Sequence, residues 1–143
     1  MISTKGRYAL RVMLDLAGQN EEKFTPLGEI AARQGISKKY LELILKALVG
    51  KNLLKGLRGK GGGYKLTRAP SEYNVGEILE LAEGSLTIVA CLQNENNSCE
   101  RKNFCQTLPM WRAFDKMTRD FFSGITLQDL LRGENNFGEK NIS

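Results

Sequence analysis

The stretch that most restricts how this chain can fold is Arg58-Gly59-Lys60-Gly61-Gly62-Gly63. It separates two short runs, Leu53-Leu54-Lys55-Gly56-Leu57 and Tyr64-Lys65-Leu66-Thr67, each of strand length. Two such runs around a glycine-rich connection predict a β-hairpin with a basic, flexible tip. A nucleotide P-loop is excluded, because no Gly-Lys-Ser/Thr closes the run and no helix pattern starts there. Glycines allow backbone N–H groups to approach phosphates closely, and an arginine at the tip suits the narrow, electronegative minor groove of DNA. The alternative is a plain solvent-exposed hairpin.

The residues before this hairpin favour the DNA reading. Ser3 or Thr4 caps a first helix running to about Ala17, with Ala9, Leu10, Met13, Leu14, Leu16 and Ala17 on a broad apolar face. Thr25 followed by Pro26 predicts the start of a second, short helix carrying Leu27, Ile30 and Ala31, with Thr25 as its cap. Gly35 ends it as a left-handed cap. Ser37 caps a third helix in which Leu41, Ile44, Leu45 and Leu48 follow the i, i+3, i+4, i+7 rule and face the core. Lys38, Lys39, Glu42 and Lys46 fall on the other side, with Tyr40 near the start. Two helices joined by a glycine-containing turn, the second with a polar N-terminal end, form a helix-turn-helix arrangement. The hairpin then becomes its wing. The expected fold is mainly α, a winged helix-turn-helix with a small β-hairpin wing and a long C-terminal dimerisation helix.

Charge is divided along the chain in the same sense. Residues 1–68 hold 14 Lys and Arg against 5 Asp and Glu, whereas residues 69–143 hold 7 against 11, for a total of +5. A basic first half points to an anionic partner, with nucleic acid ahead of a membrane surface. No run of about 18 apolar residues exists to cross a bilayer. Leu10 to Leu16 is interrupted by Arg11 and Asp15, unlike a signal peptide, so a reducing cytoplasmic setting is expected. There is no histidine. That removes the commonest general base and metal ligand, and with them any Ser-His or Cys-His nucleophile pair, so an enzyme is not expected.

All three cysteines, Cys91, Cys99 and Cys105, lie on one mostly polar stretch. Cysteine is usually a buried small hydrophobe, so three on a polar loop call for a chemical reason. Their spacing, C-x7-C and C-x5-C, lets three soft thiolates converge on an iron–sulfur cluster, zinc or copper(I). Structural zinc favours tight C-x2–4-C pairs and four protein ligands, a pattern absent here. Redox-active thiols are the other reading, with Arg101 and Lys102 lowering the pKa of Cys99 or Cys105. An odd number of cysteines does not make a disulfide framework.

Asn74 or Ser71 opens a further helix with Val75, Ile78, Leu79, Leu81 and Ala82, ending near Gly84. Beyond the cysteines, Leu108, Trp111, Phe114, Met117, Thr118, Phe121 and Phe122 recur at helical spacing. That is a large apolar surface for one helix, and a second copy of the chain is the economical way to cover it, with simple packing on the chain's own core as the alternative. Thr126 caps a last turn, Leu127 to Leu131, and a polar tail follows. The expected divisions are 1–84 for DNA binding (helix-turn-helix about 26–50, wing 53–67), 85–105 for the cysteines, 106–131 for dimerisation and 132–143 as a flexible tail.

Four motifs together carry a family resemblance. Ser3-Thr4-Lys5-Gly6-Arg7-Tyr8-Ala9-Leu10, Gly35-Ile36-Ser37 with Tyr40-Leu41-Glu42, Arg58-Gly59 with Gly61-Gly62-Gly63-Tyr64, and the three cysteines resemble the iron–sulfur cluster regulators of the Rrf-type winged-helix family. The likeness covers about residues 1–131 in order. It implies a homodimeric transcription factor that binds a pseudo-palindromic site on double-stranded DNA, holds a 2Fe–2S cluster and controls iron–sulfur cluster assembly genes. By position, Cys91, Cys99 and Cys105 match the cluster ligands. Ser37, Lys38, Lys39, Tyr40 and Glu42 match the start of the recognition helix, and Arg58, with Gly59, Lys60 and Gly61, matches the wing tip that enters the minor groove.

The chain departs from the pattern at one point. The best-known members supply a histidine three residues after the last cysteine, and Leu108 stands there. Relatives that draw a carboxylate from the partner's first helix would need it near Arg7, which is basic. The resemblance therefore leaves the fourth ligand among Glu95, Glu100, Gln106, Asp115 and an exogenous group. It also leaves open a 4Fe–4S form, as in nitric-oxide-sensing relatives, and the N-terminal segment is similar to the family's cysteine-metabolism repressor as well.

Overall fold

The computed structural model describes residues 2–88, 92, 105–133 and 137. Helix α1 (Thr4–Ala17) is capped by Ser3, whose hydroxyl accepts from the Gly6 N–H at 3.4 Å. Glu83, at the far end of the fourth helix, reinforces that cap. Its carboxylate accepts from the Ser3 N–H at 2.8 Å and the Ser3 hydroxyl at 2.7 Å. Burial pushes the Glu83 carboxyl up, but these bonds outweigh it and hold the group below the usual range. A Cβ at Gly6 would meet Glu83 Oε1, so a side chain there would displace this carboxylate from the cap.

Helices α2 (Leu27–Gln34) and α3 (Lys38–Gly50) are joined by Gly35, at φ 63°, as its sequence position requires. Ser37 caps α3 by accepting from the Tyr40 N–H at 3.2 Å. The start of α2 differs from the sequence expectation. Pro26, with extended backbone, occupies the N-cap position, and Thr25 is not the cap. Thr25 is instead buried and pairs antiparallel with Tyr64, so its N–H and C=O are committed to the hairpin.

Strands β1 (Leu54–Leu57) and β2 (Gly63–Leu66) form the hairpin, with Leu54 opposite Leu66 and Leu57 opposite Gly63. A 3-10 turn (Pro70–Glu72) leads to α4 (Val75–Glu83), capped by Asn74, which accepts from the Glu77 N–H at 2.8 Å. After the cysteine stretch come α5 (Leu108–Ser123) and α6 (Leu127–Leu131). A capping box between Thr126 and Asp129 opens α6.

Two apolar clusters organise these elements. The larger joins Val12 and Met13 of α1 to Ile30 of α2, Leu41, Ile44, Leu45 and Leu48 of α3, Leu54 of β1, Tyr73 and Ile78. The α3 residues are those marked by the periodicity. Leu127 of α6 is also fully buried in this cluster, because the Leu127 N–H donates to Tyr73 O at 3.1 Å and draws the chain end onto the winged unit. The smaller cluster gathers Val75, Leu79, Leu86 and Ile125, with Phe121 and Phe122 packed against it. Among the described residues, no helix is long and apolar enough to cross a membrane.

Candidate nucleic-acid interface and cysteine segment

The outer face of α3 carries the polar residues expected of a reading helix. Ser37, Lys38, Lys39, Glu42 and Lys46 are exposed, while Tyr40 is half-buried. The Tyr40 ring meets Tyr8 of α1 edge-on, with centroids 5.9 Å apart, and the Arg11 guanidinium lies 5.0 Å from the Tyr8 ring. Arg11 Nε then donates to Gln34 Oε1 at 3.1 Å, and its Nη2 donates to the Gln34 carbonyl. Tyr40 is thus held from behind by α1, which aims the N-terminal turn of α3.

A second polar network behind α2 was not foreseen from the sequence. Asp15 of α1 is almost fully buried and accepts from Arg33 Nη2 at 2.7 Å, Arg33 Nε at 3.0 Å and Gln34 Nε2 at 2.8 Å. Burial raises the Asp15 carboxyl, but the Arg33 and Gln34 bonds and the Arg33 charge prevail and hold it below the ordinary carboxylate range. The same pairing raises Arg33. The available signal was an acid inside the apolar pattern of α1, where a charge persists only if partnered.

At the wing tip, Arg58, Gly59, Lys60 and Gly61 are all exposed. The glycines there divide into two kinds. Gly59 (φ 90°) and Gly61 (φ 77°) have open space where a side chain would stand, so they serve the turn and leave the tip accessible. Gly62 and Gly63 serve internal packing. A Cβ at Gly62 would strike the Leu57 carbonyl, and one at Gly63 would strike the Thr25 carbonyl. The base of the wing is wired by Tyr73, also unforeseen. Its hydroxyl donates to Leu53 O at 2.7 Å and accepts from the Thr67 N–H at 2.8 Å and the Arg68 N–H at 3.1 Å. Arg68 covers the Tyr73 ring at 4.7 Å and pairs with Glu77 at 2.6 Å.

Of the three cysteines, Cys91 and Cys99 lie outside the described residues, as do Glu95 and Glu100. Cys105 is half-buried just ahead of α5, its Sγ 3.3 Å from Thr107 Oγ1. Leu108 is only 4% exposed and packs inward. Gln106 is exposed beside Cys105. Asp115 is engaged, accepting from Arg119 Nε at 2.9 Å. Arg119 also reaches Glu80 of α4 at 3.1 Å and Thr87 at 2.9 Å. One guanidinium therefore clasps the residues entering the cysteine stretch and the helix leaving it. On α5, Met110, Phe114 and Met117 stand exposed at 54%, 46% and 69%.

The profile of the Rrf2 family, described as iron-dependent transcriptional regulators, matches residues 2–133. The chain belongs to the Rrf2 family. An Rrf2 regulator of Pectobacterium atrosepticum, the HTH-type transcriptional regulator IscR, is 36% identical over 133 residues, spanning 93% of this chain and 80% of the relative. IscR of Aliivibrio salmonicida is also 36% identical, over 91% of this chain and 76% of its own. Among solved Rrf2-type structures, T. potens IscR aligns with a TM-score of 0.74 at 34% identity, covering all of this chain and 92% of that one. CymR, the global cysteine regulator of B. subtilis, aligns with a TM-score of 0.74 at 32% identity over 94% and 98% of the two chains. The winged helix read from the sequence is the fold of these neighbours. The chain is a transcriptional regulator of this family, and the family's work is done on DNA.

Proposed function

We propose that this Rrf2 regulator reads a specific pseudo-palindromic DNA site as a homodimer and senses iron–sulfur cluster status through a 2Fe–2S cluster, controlling cluster assembly genes. The observation that carries the DNA half is the outward face of α3, with Lys38, Lys39 and Glu42 exposed beside an exposed wing tip. In this reading the N-terminal turn of α3 enters the major groove, where Ser37, Lys38, Lys39 and Tyr40 position the helix and Glu42 accepts from cytosine N4. Arg58 enters the adjacent minor groove, while Gly59, Lys60 and Gly61 lie against the backbone. The exposed stripe of Met110, Phe114 and Met117, spaced i, i+4, i+7 on α5, supports a second copy as its cover. Two reading helices then address half-sites with centres ~34 Å apart or a multiple of it.

Cys91, Cys99 and Cys105 would hold the cluster. Three soft thiolates suit iron–sulfur chemistry, and Cys105 lies just ahead of the 16-residue helix α5. When bound, the cluster supplies a group whose presence depends on iron and sulfide supply. The chain's own contribution is to tie that segment to α4 and α5 through Arg119. A change in the segment is thereby passed to the helix proposed for dimerisation.

Anaerobic reconstitution with iron and sulfide tests this reading. The wild type should gain a visible iron–sulfur chromophore that Cys91→Ala, Cys99→Ala and Cys105→Ala lose, and its preference among DNA sites should differ with and without it. Elemental analysis giving zinc in place of iron and acid-labile sulfide would overturn it. A second reading is favoured by one observation: Leu108, where the best-known relatives place histidine, is buried and offers no ligand. It is a related regulator of redox state, nitric oxide or cysteine supply, with the thiols holding a 4Fe–4S cluster or zinc, or reacting directly. Mössbauer spectroscopy of the anaerobic protein separates these forms.

A further inference from the structure

One side chain on α3 is out of keeping with its surroundings. Leu43 is 60% exposed, although it sits in the middle of an otherwise polar outer face. The residues that turn inward are Leu41, Ile44, Leu45 and Leu48, and they complete the core without it. Leu43 belongs to the opposite stripe, following Lys39 by four residues and preceding Lys46 by three, with Glu42 alongside. A single exposed leucine is ordinary on a protein surface. One placed between two lysines, on the helix proposed to enter the major groove, has a specific chemical use.

We propose that Leu43 reads the 5-methyl group of a thymine in the major groove of double-stranded DNA. The inference rests on the DNA-reading role of α3 proposed above and adds a specificity residue to it. Thymine is the base that presents an apolar group in that groove, and an aliphatic side chain is its natural contact. The flanking Lys39 and Lys46 ammonium groups suit the phosphates on either side of the groove. That cationic setting favours nucleic acid over an apolar protein patch as the occupant. The exposed stripe proposed for self-association lies on α5, a different element from the one that carries Leu43. Glu42, immediately before Leu43, presents an acceptor while Leu43 presents a hydrocarbon, so neighbouring bases are read by opposite chemistry.

The test uses the full chain and duplexes selected by it from a random pool. Each thymine of the enriched half-site is replaced singly by deoxyuridine, which removes the methyl group alone. Wild type should lose about fourfold in affinity at one thymine, the fold-change for burying one carbon at ~0.8 kcal/mol. Leu43→Ala should bind the thymine and deoxyuridine duplexes equally while keeping its melting temperature. Leu43→Gln should shift the preference at that position from thymine to adenine, whose N6 and N7 it can bond. An undiminished deoxyuridine penalty in Leu43→Ala, or no sensitive thymine in the wild type, would overturn the proposal and leave DNA reading by α3 intact. Leu43→Ala with wild-type DNA binding but a lower sedimentation mass would overturn it in favour of a protein–protein contact. A pool that enriches no sequence would overturn the DNA-reading role as well.

Discussion

Thr25 and Tyr64 exchange both of their backbone hydrogen bonds, the Thr25 N–H to Tyr64 O at 2.8 Å and the Tyr64 N–H to Thr25 O at 2.9 Å. The wing is thereby tied to the residue pair that launches α2, and not only to the end of α3. A two-stranded hairpin alone is marginal in water, and this third backbone partner supports it. It also sets the wing tip relative to the helix-turn-helix, which any simultaneous contact with two DNA grooves needs.

The close pairing leaves no room for a side chain at Gly63. Its φ is 148°, and a Cβ there would run into the Thr25 carbonyl. Gly63→Ala should therefore destabilise the protein by about 1–3 kcal/mol, the range for a strained backbone position. Gly18→Ala is the control, since Gly18 has φ −83° and ordinary contacts of 3.6 Å at the Cβ position; it should stay within ~0.5 kcal/mol. Urea denaturation of the two variants measures both values. Equal stability would show that the wing detaches without cost.

Tyr73 makes a sharper test of the wing base. Tyr73→Phe keeps the buried ring but removes the hydroxyl that serves Leu53 O, the Thr67 N–H and the Arg68 N–H. The Thr67 and Arg68 N–H groups lose this acceptor and Leu53 O keeps the longer bond from the Thr67 hydroxyl at 3.5 Å, at a cost of about 1–3 kcal/mol. Amide hydrogen exchange should speed up at Thr67 and Arg68 before it does in α3. Unchanged protection at those two amides would count against the hydroxyl as the organising group.

How much of this was readable beforehand depends on the range of the interaction. The α3 core face, the Gly35 turn, the Ser37 and Thr126 caps and the hairpin are local patterns, and each was legible. Thr25 was misread because a Thr-Pro pair carries the same local signal whether it caps a helix or pairs with a strand 39 residues away; only the tertiary bridge decides. Tyr73 and the Asp15–Arg33 pair were missed for a related reason. A tyrosine in a polar turn and an acid in an amphipathic helix become informative only once burial is known. On α5 the sequence overstated the free surface, because Phe121 and Phe122 pack on Val75, Leu79, Leu86 and Ile125 within the chain. The residues left outward are Met110, Phe114 and Met117.

That remaining stripe gives a direct test of self-association. Met117→Glu, at the most exposed of the three, places a charge where the second copy is proposed to pack. Desolvating an unpaired carboxylate at such a contact costs several kcal/mol, which is enough to dissociate a modest dimer. Sedimentation equilibrium should give a dimer mass for the wild type and a monomer mass for Met117→Glu, with unchanged thermal unfolding at high dilution. A wild-type monomer at all concentrations would refute the proposed dimer.

Asp15 links stability to pH. Its carboxyl is held below the ordinary range by Arg33 and Gln34, against the opposing effect of burial. The unfolded chain therefore takes up a proton at higher pH than the folded one does, at about 4. The stabilisation is fully present above that value and is lost as pH falls through the lower, folded pKa, so stability rises with pH across this window. Glu83 is lowered too and acts in the same sense. Asp15→Asn replaces a charge-assisted acceptor with an amide whose NH2 faces the Arg33 and Gln34 donors. It should cost about 1.5–3 kcal/mol at neutral pH, the value of hydrogen bonds to a charged group. As pH falls through the lowered folded pKa of Asp15, the variant's stability should approach that of the wild type, because protonation removes the charge there. Urea unfolding from pH 3 to 7 compares the two curves; Glu83→Gln in the Asp15→Asn background should flatten the remaining slope. Parallel wild-type and Asp15→Asn curves would mean that the Asp15–Arg33 pair does not set the acid limit of this fold.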